Sequence, residues 1–420
     1  MHKKTKIRQT FSSLKIRNFR LFITGQIIST TGTWMQTIGQ AWLVLKLTNS
    51  GTALGLVIAL QFLPVLIIGP WGGVITDRFS KRNLLFITQS VCAVLALILG
   101  ILVATNFVQL WMVYVLALCL GLVNAVDSPA RQTFIPEMVD KENLLSAVSL
   151  NSMQGNLTRV IGPSIAAILI AAFGLAPLFF FNALSYMVVI IALSMMDIDK
   201  LDISPYLTEF KGQLKEGLRY VRSSPVIFHT LLMMAIIGTF TYEFSVSLPL
   251  LAQFTFHGTA TTYALLSSAL GFGSIFGSLN TANRKKINFS ILTQNAFLFG
   301  LSVFIFALAT SFPLALFLII LVGFFSFNFL SLVNVILQME SKPTMRGRVM
   351  SLWAVAFLGS TPLGGPIVGW VSQHAGPRFG LMVGAVAALI ASGIGIIAVR
   401  NHKSVMITKN AEISEKNNSF

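Results

Sequence analysis

The chain has 420 residues, of which 55% are hydrophobic and only 10% are charged, and its mean hydropathy is +0.78. Soluble globular proteins carry about 25% charged residues, so this composition excludes an ordinary soluble protein and indicates one embedded in a membrane. The 30 Lys and Arg residues outnumber the 14 Asp and Glu residues, which gives a formal charge of +16. In a soluble protein such an excess would suggest a nucleic-acid partner, so the positions of the cations decide the matter.

Twelve apolar stretches are long enough to cross a membrane, because a spanning helix needs about 20 mostly apolar residues. The predicted spans are residues 21–45, 52–76, 84–104, 108–127, 144–171, 176–196, 226–250, 261–280, 289–309, 313–338, 349–371 and 379–399. We therefore predict an all-α membrane protein with twelve transmembrane helices. The first stretch contains three glutamines and lacks a cleavage site of small residues, so it is predicted to be a retained helix and not a signal peptide.

The basic residues follow the alternation of the spans. An even number of spans places both termini on one side, and that side holds 27 of the 30 Lys and Arg residues, whereas Lys46 and Arg378 lie on the other and Arg159 lies within a span. Because basic residues collect in cytoplasmic loops, both termini are predicted to be cytoplasmic, with the chain in the inner membrane of a bacterium. Membrane topology thus accounts for the charge, and no nucleic-acid partner is predicted.

The chain divides into two halves of six spans each. The predicted units are a basic N-terminus (1–20), an N-terminal bundle (21–196), a cytoplasmic amphipathic linker (197–225), a C-terminal bundle (226–399) and a disordered cytoplasmic tail (400–420). The linker suits a helix on anionic membrane lipids, or a solvated helix with no lipid role.

Similar motifs recur in the two halves. The fifth span reads RVIGPSIAA, with Gly162 and Pro163, and the eleventh reads LGGPIVGW, with Gly365, Pro366 and Gly369. Parallel six-span repeats indicate a transporter whose binding site lies between the halves.

The loop after the second span carries the most specific motif, GGVITDRFSKR. Its key residues are Gly73, Asp77, Arg78, Lys81 and Arg82. This spacing resembles the loop signature of the major facilitator superfamily, although Ser80 stands where glycine is usual. The resemblance implies a gate in which Asp77 meets the start of the eleventh helix, or Arg131, whereas the alternative is that the cations only set the topology.

Three longer segments resemble one branch of that superfamily, the branch that contains the enterobactin exporter and macrolide-efflux proteins. The segments are SLKIRNFRLFITGQIISTTGTWMQ, DSPARQTFIPEMV and RGRVMSLWAVAFLGSTPLGGPIVGW. The fifth span also resembles the superfamily's antiporter signature, with Ala166 and Ala167 in place of glycines. The resemblance implies two pseudo-symmetric six-helix bundles and export by alternating access. The arginine that drug/proton antiporters carry on the fourth span is missing.

Three ionisable side chains in the predicted spans are candidates for proton coupling, because an unpaired ionisable group within a membrane costs several kcal/mol. Glu243, in the seventh span, is a candidate proton carrier or a hydrated or paired carboxylate near the outer mouth. Arg159 is a structural or snorkelling cation, an attractor of anionic substrate groups, or a counter-charge for Glu243. Asp127, which closes the fourth span, is a coupling group or a helix cap.

Neutral polar residues on the first and tenth spans are predicted to line a substrate cavity. They are Gln26, Thr30, Thr33, Gln36, Thr37, Gln40, Asn328, Ser331, Asn334 and Gln338. Interhelical hydrogen bonding is the alternative, because hydroxyl and amide groups also join membrane helices. With 34 Phe and 15 Met residues in the chain, such a cavity suits bulky amphipathic ligands.

These observations predict a proton-coupled exporter of amphipathic small molecules, such as macrolides or a siderophore-like metabolite. An importer on the same fold is the alternative, and a non-transporting scaffold or receptor is a third. The five histidines are scattered and no Walker A motif is present, so neither an enzyme nor a nucleotide-driven pump is predicted. We expect no cofactor, no metal and a monomer.

Overall fold

A computed structural model describes residues 11–202, 213–284, 286–342 and 345–417, without the side chains of residues 70–77, 213–215 and 401–417. The described part is helical. Its α-helices are α1 (Arg17–Thr48), α2 (Gly51–Arg78), α3 (Lys81–Ala104), α4 (Leu110–Met138), α5 (Leu144–Phe173), α6 (Ala176–Ser194), α7 (Gln213–Ser223), α8 (Pro225–Phe240), α9 (Phe244–Leu250), α10 (Ala260–Ala282), α11 (Phe289–Ala307), α12 (Phe312–Glu340), α13 (Arg346–Leu358), α14 (Thr361–His374) and α15 (Pro377–Asn417).

Eleven helical stretches of the described chain are long and apolar enough to cross a membrane. Two of them are compound, since α8, α9 and the π-turn Leu251–Thr255 form one, and α13 with α14 forms another. The first predicted span corresponds to α1, which is not among the eleven although its 32 residues would extend about 48 Å. Its glutamines and threonines make it less apolar than the others. The all-helical architecture is confirmed, with α1 as the twelfth long segment.

The helices pack as two halves. In the first half α1 contacts α5 and α6, and α3 contacts α4 and α6; in the second, α12 contacts α10 and α11, and α15 contacts α8 and α11. The halves meet mainly where α2 contacts α14 and where α5 contacts α10. We call the end of the bundle that carries α7 the linker side and the opposite end the far side.

Two predicted spans of the second half are interrupted. The seventh breaks between α8 and α9, where Glu243 is the residue preceding α9, and the eleventh breaks between α13 and α14 at Gly359 and Ser360. Pro362 lies in the first turn of α14, where its missing N–H group cannot extend the hydrogen-bond ladder of α13. Interrupted helices are typical of transporter binding sites, because they free backbone groups near the middle of the membrane.

The fourth predicted span ended too early. Helix α4 continues to Met138 and includes Pro129 and Pro136, so Asp127 lies inside the helix and does not close it. The sequence DSP imitates a helix boundary, but buried partners of Asp127 on α3, described below, hold the aspartate within the helix.

The segment between the halves contains α7, which contacts α8 and α13. Glu216 of α7 forms an ion pair with Arg348 of α13 at 2.7 Å. Residues 203–212 of the predicted linker lie outside the described residues. At the other end of the chain, α15 extends to Asn417, and residues 418–420 are not described, so disorder of the tail stays a prediction.

Candidate functional site

The halves touch most closely on the far side, along what we call the glycine seam: Gly51 and Gly55 of α2 against Gly365 and Gly369 of α14. A β-carbon at Gly51 would lie 2.6 Å from the carbonyl oxygen of Gly369, and one at Gly365 would lie 3.1 Å from that of Gly55. Because real β-carbons do not approach backbone oxygens as closely as the first of these distances, only glycine permits this contact at Gly51. Gly365 and Gly369, predicted as packing residues, therefore lie at an inter-half contact.

Hydrogen bonds close the far side of the same contact. Gln373 at the end of α14 accepts from the Ser50 hydroxyl at 2.7 Å and from the backbone N–H of Thr52 at 3.1 Å. Gln253 donates to the side-chain oxygen of Asn49 at 2.8 Å. The far side is therefore held shut by polar contacts as well as by close helix packing.

The second contact between the halves joins α5 and α10, and we call it the serine seam: Ser164, Ser268 and Gly271. The hydroxyls of Ser164 and Ser268 lie 3.1 Å apart. A β-carbon at Gly271 would lie 2.8 Å from the carbonyl oxygen of Arg159. Arg159 thus lies at the point where α10 crosses α5.

Gly162 of the fifth-span motif does not reach the other half. Its α-carbon packs against α1, where an added β-carbon would meet the Thr31 carbonyl oxygen at 2.9 Å and the side chain of Trp34. Pro163 is buried beside it within α5. The two motifs that look alike in the sequence therefore make different contacts, one within a half and one between halves.

Glu243 lies directly behind the glycine seam. Its side chain is 3% exposed, and Oε1 has no hydrogen-bond partner. Its two carboxyl oxygens lie 3.0 and 3.5 Å from where β-carbons of Gly364 and Gly365 would stand. It forms none of the ion pairs found among the described residues, so the predicted alternative of a paired carboxylate does not hold there.

Arg159 lies between aromatic side chains from both halves. Its guanidinium carbon is 5.2 Å from the ring centre of Trp34 on α1 and 4.3 Å from that of Phe327 on α12. No ion pair of the described residues includes it, so it is not a counter-charge for Glu243 in this conformation.

Asp127 is the opposite case, since its carboxylate is fully partnered. It is 2% exposed, pairs with Arg131 at 2.8 Å, and accepts from the Thr88 hydroxyl at 2.7 Å and the Gln89 amide at 2.8 Å. Arg131 also donates to Gln26 at 3.2 Å. This network joins α1, α3 and α4, and it occupies Arg131, the predicted alternative partner of Asp77.

The polar residues of α1 divide between packing and cavity. Gln36 accepts from Asn182 of α6 at 2.7 Å, and the Thr33 hydroxyl lies 3.2 Å from that of Tyr186 on the same helix. At these positions the structure shows interhelical hydrogen bonds. Two further hydroxyls, those of Thr30 and Thr37, are half-buried, whereas Gln40 is buried. Contact of this stripe with substrate stays a prediction.

The polar residues of α12 also lie in different surroundings. Asn328 is buried and accepts from the Thr281 hydroxyl of α10 at 2.5 Å, whereas Ser331 is half-buried. Gln338, exposed near the linker side, donates to Asn334 at 2.5 Å. Only part of this predicted set, therefore, lies at the level of Arg159 and Phe327.

The loop motif is described in part: Gly73 is described only as backbone within α2, and the side chain of Asp77 lies outside the described residues. Arg78 is exposed at the end of α2. Lys81 is buried in an ion pair with Glu137 of α4, and Arg82 donates to the carbonyl oxygen of Leu193 at 2.8 Å. Two of the three predicted gate cations thus fasten α3 to α4 and α6.

Sequence inspection missed several members of the site. Trp34, Phe327 and Tyr242 surround or approach Arg159, and the Tyr242 hydroxyl donates to the Ser326 carbonyl at 2.6 Å. Aromatic residues are too frequent in this chain for their identity to mark them. Their proximity to a cation became visible only once three helices were placed.

Two six-helix halves that meet around buried charged and polar side chains define a membrane transporter and not an enzyme. Residues 8–417 match the family described as transmembrane secretion effectors, so the chain belongs to that family of the major facilitator superfamily. The resemblance predicted from the loop motif and the longer segments is confirmed.

Named relatives are exporters or transporters of small molecules. The chain is 27% identical to the staphyloferrin A transporter of Staphylococcus aureus, over 82% of this chain and 87% of that one. It is 22% identical to macrolide efflux protein A of Streptococcus pyogenes (85% and 89% covered) and 24% identical to the enterobactin exporter EntS of Citrobacter koseri (88% and 82% covered).

Solved structures support the same fold. A bacterial homolog of the human lysosomal transporter Spinster, in an inward-facing and unoccupied conformation, superposes with a TM-score of 0.74 at 12% identity, covering 91% of this chain and 96% of that one. At this identity the likeness establishes the major facilitator architecture alone.

Proposed function

We propose that the chain is a proton-coupled exporter of amphipathic small molecules, such as macrolides or a siderophore-like metabolite, that works by alternating access. Family membership and the relatives named as exporters support the direction of transport. The observation that carries the proton coupling is Glu243, buried with an unpartnered carboxyl oxygen behind the glycine seam.

The coupling follows from the surroundings of Glu243. A charged carboxylate held there with a hydrogen bond to the Thr361 side chain and no cation beside it would cost several kcal/mol, a cost that the neutral acid avoids. Opening the glycine seam would admit water to the same group and allow its ionisation. A proton taken up from the far side would therefore accompany closure of that side, and it must leave towards the linker side before the far side reopens, so that each cycle carries a proton inwards.

The wider arrangement is part of the same proposal. Because basic residues mark cytoplasmic loops, the linker side is cytoplasmic, both termini included, and the far side faces out of a bacterial inner membrane. The closed far side then corresponds to an inward-facing state. Asp77 and its motif gate the linker side, so Asp77→Asn should abolish transport in a protein that still inserts. The transporter works as a monomer, with α7 on the membrane lipids.

Reconstitution into liposomes tests the proposal. An accumulation screen first supplies a transported probe. Macrolides and siderophore-like acids are tested in a strain lacking the chain and in one that has it, each with and without an uncoupler. We then expect an imposed pH gradient to drive that probe in the wild type, and we expect Glu243→Gln to abolish the effect of the gradient.

Glu340→Gln is the matched control, because this acid is exposed at the end of α12 and should keep the response. Full proton dependence in the Glu243→Gln protein would remove Glu243 as the carrier. Uptake into cells, instead of extrusion, would favour an importer.

A further inference from the structure

Two nitrogen atoms of the Arg159 guanidinium lack hydrogen-bond partners. Its Nε and Nη1 atoms are buried, and neither has a hydrogen-bond partner. The residue as a whole is only half-buried, so part of it stays reachable. A buried donor without an acceptor is costly, and more so when it is charged.

The groups around Arg159 offset this cost only in part. Contacts with the faces of Trp34 and Phe327 stabilise the cation, but aromatic faces accept no strong hydrogen bonds. The Tyr242 hydroxyl is directed to the Ser326 carbonyl oxygen. The nearest helix crossing adds only the packing of Gly271 against the Arg159 backbone.

Other functions for Arg159 fit less well. Guanidinium keeps its proton under all ordinary conditions, so Arg159 cannot bind and release the transported proton. None of the ion pairs among the described residues includes Arg159: Asp127 pairs with Arg131, and the Glu243 carboxyl faces Gly364. An anionic ligand is therefore the simplest complement to the free donors.

The geometry defines the chemistry of that anion. Guanidinium presents paired donors that match the two oxygens of a carboxylate. Rings from α1 and α12 flank the cation on the surfaces of both halves, and they suit the apolar body of the same molecule. Amine-bearing cations would meet a like charge at this position.

We propose that Arg159, flanked by Trp34 and Phe327, is the binding site for the carboxylate of an amphipathic organic acid, the substrate class of this transporter. The inference rests on the proposed export function and narrows its substrates to the siderophore-like acids, because macrolides carry a basic amine. It predicts that the substrate binds as a carboxylate and that the apolar body of the substrate contacts the aromatic side chains of α1 and α12.

Direct binding tests the assignment on the full chain in detergent. The probes are pyrenebutyrate, pyrenebutanol and pyrenebutylamine, which share one apolar body and differ in charge. We expect the wild type to bind the acid about tenfold or more tighter than the alcohol, since charge-assisted hydrogen bonds are the strong ones. The amine should bind more weakly than the alcohol.

Variants locate the effect. In Arg159→Gln the dissociation constants of the acid and the alcohol should lie within about threefold of each other. Arg159→Lys should restore part of the preference for the acid, because it keeps the charge. Arg378→Gln, on the far side where Arg378 donates to the Ala309 carbonyl, is the matched control and should keep the full preference. Thermal unfolding of each variant checks that the fold is retained.

The outcomes separate this inference from the export function. A wild type with no preference for the acid, or with no binding of it, overturns the site, and so does a full preference in a folded Arg159→Gln protein. If the preference for the acid holds but no compound is extruded in the accumulation screen, export fails and the binding site stands.

Discussion

The two contacts between the halves occupy equivalent places in the internal repeat. Each joins the second span of one half, α2 or α10, to the fifth span of the other half, which contains α14 or α5 respectively. They are nevertheless built differently. The glycine seam brings backbones together through Gly51, Gly55, Gly365 and Gly369, with the acid Glu243 behind it. The serine seam uses facing hydroxyls, with the cation Arg159 beside it.

The difference shows that a repeated backbone arrangement can carry unlike chemistry. A backbone-to-backbone contact has no side chain that can move aside, so it depends strictly on residue size. A contact between two hydroxyls can be lost while the helices stay in place. The acid and the cation also belong to different seams, and no ion pair of the described residues joins them.

The largest effect is expected from locking the far side. In a chain with Cys92 and Cys119 replaced by alanine, Ser50→Cys and Gln373→Cys should be joined by a cleavable thiol cross-linker, because the native side chains lie in hydrogen-bond contact. Transport in liposomes should fall to background and return on cleavage. Undiminished transport by the fully cross-linked protein would mean that this end does not open during the cycle.

A smaller effect is expected from adding volume at the glycine seam. Gly55→Val would place a side chain against the carbonyl group of Gly365, and overpacking of this kind costs about 1–3 kcal/mol. That corresponds to a roughly five- to 150-fold loss of the closed state, measured as reduced pH-driven transport.

Gly69→Val on the same helix is the matched control, because the nearest atom to its added β-carbon is 3.9 Å away. Equal loss of transport in the two variants would show that α2 tolerates no valine at all, and the contrast between the seams would lose its basis.

The smallest effect is expected at the serine seam. Ser164→Ala with Ser268→Ala removes one contact between hydroxyls that also bond to carbonyl groups of their own helices. Such a loss should change stability by about 0.5–1.5 kcal/mol, measured as thermal unfolding in detergent, with transport reduced less than by Gly55→Val. A greater loss of transport than in Gly55→Val would reverse the ranking of the two seams.

Much of the fold followed from the sequence because hydrophobic length and loop charge act locally. Most spans and the two halves could be predicted from these local signals, although the predicted fourth span is too short and two spans are interrupted. The break before Glu243 could not be predicted, because the sequence FTYEF contains neither glycine nor proline. At this break the Thr241 hydroxyl donates to the carbonyl oxygen of Gly384 on α15 at 2.7 Å, a contact between residues far apart in the sequence.

The charged residues of the site could be predicted from the sequence, but the contacts that surround each of them could not. Arg159, Asp127 and Glu243 stood out as charges within apolar spans, yet only the packed structure distinguishes Asp127, whose carboxylate is fully partnered, from Glu243, whose Oε1 has no partner. Thr88 and Gln89, which complete the Asp127 network, belong to another helix and carry no mark in the sequence.

The ion pair between Lys81 and Glu137 changes how the loop charges should be interpreted. Lys81 is buried against α4, and the half-buried Arg82 donates through Nε to a carbonyl group at the end of α6, so both cations hold α3 against its neighbours. In the orientation proposed above these loop cations mark the cytoplasmic side, and in the folded bundle they also join helices. Neutralising Lys81 would therefore leave Glu137 buried and unpaired, and any change in topology that followed would be entangled with a loss of folding.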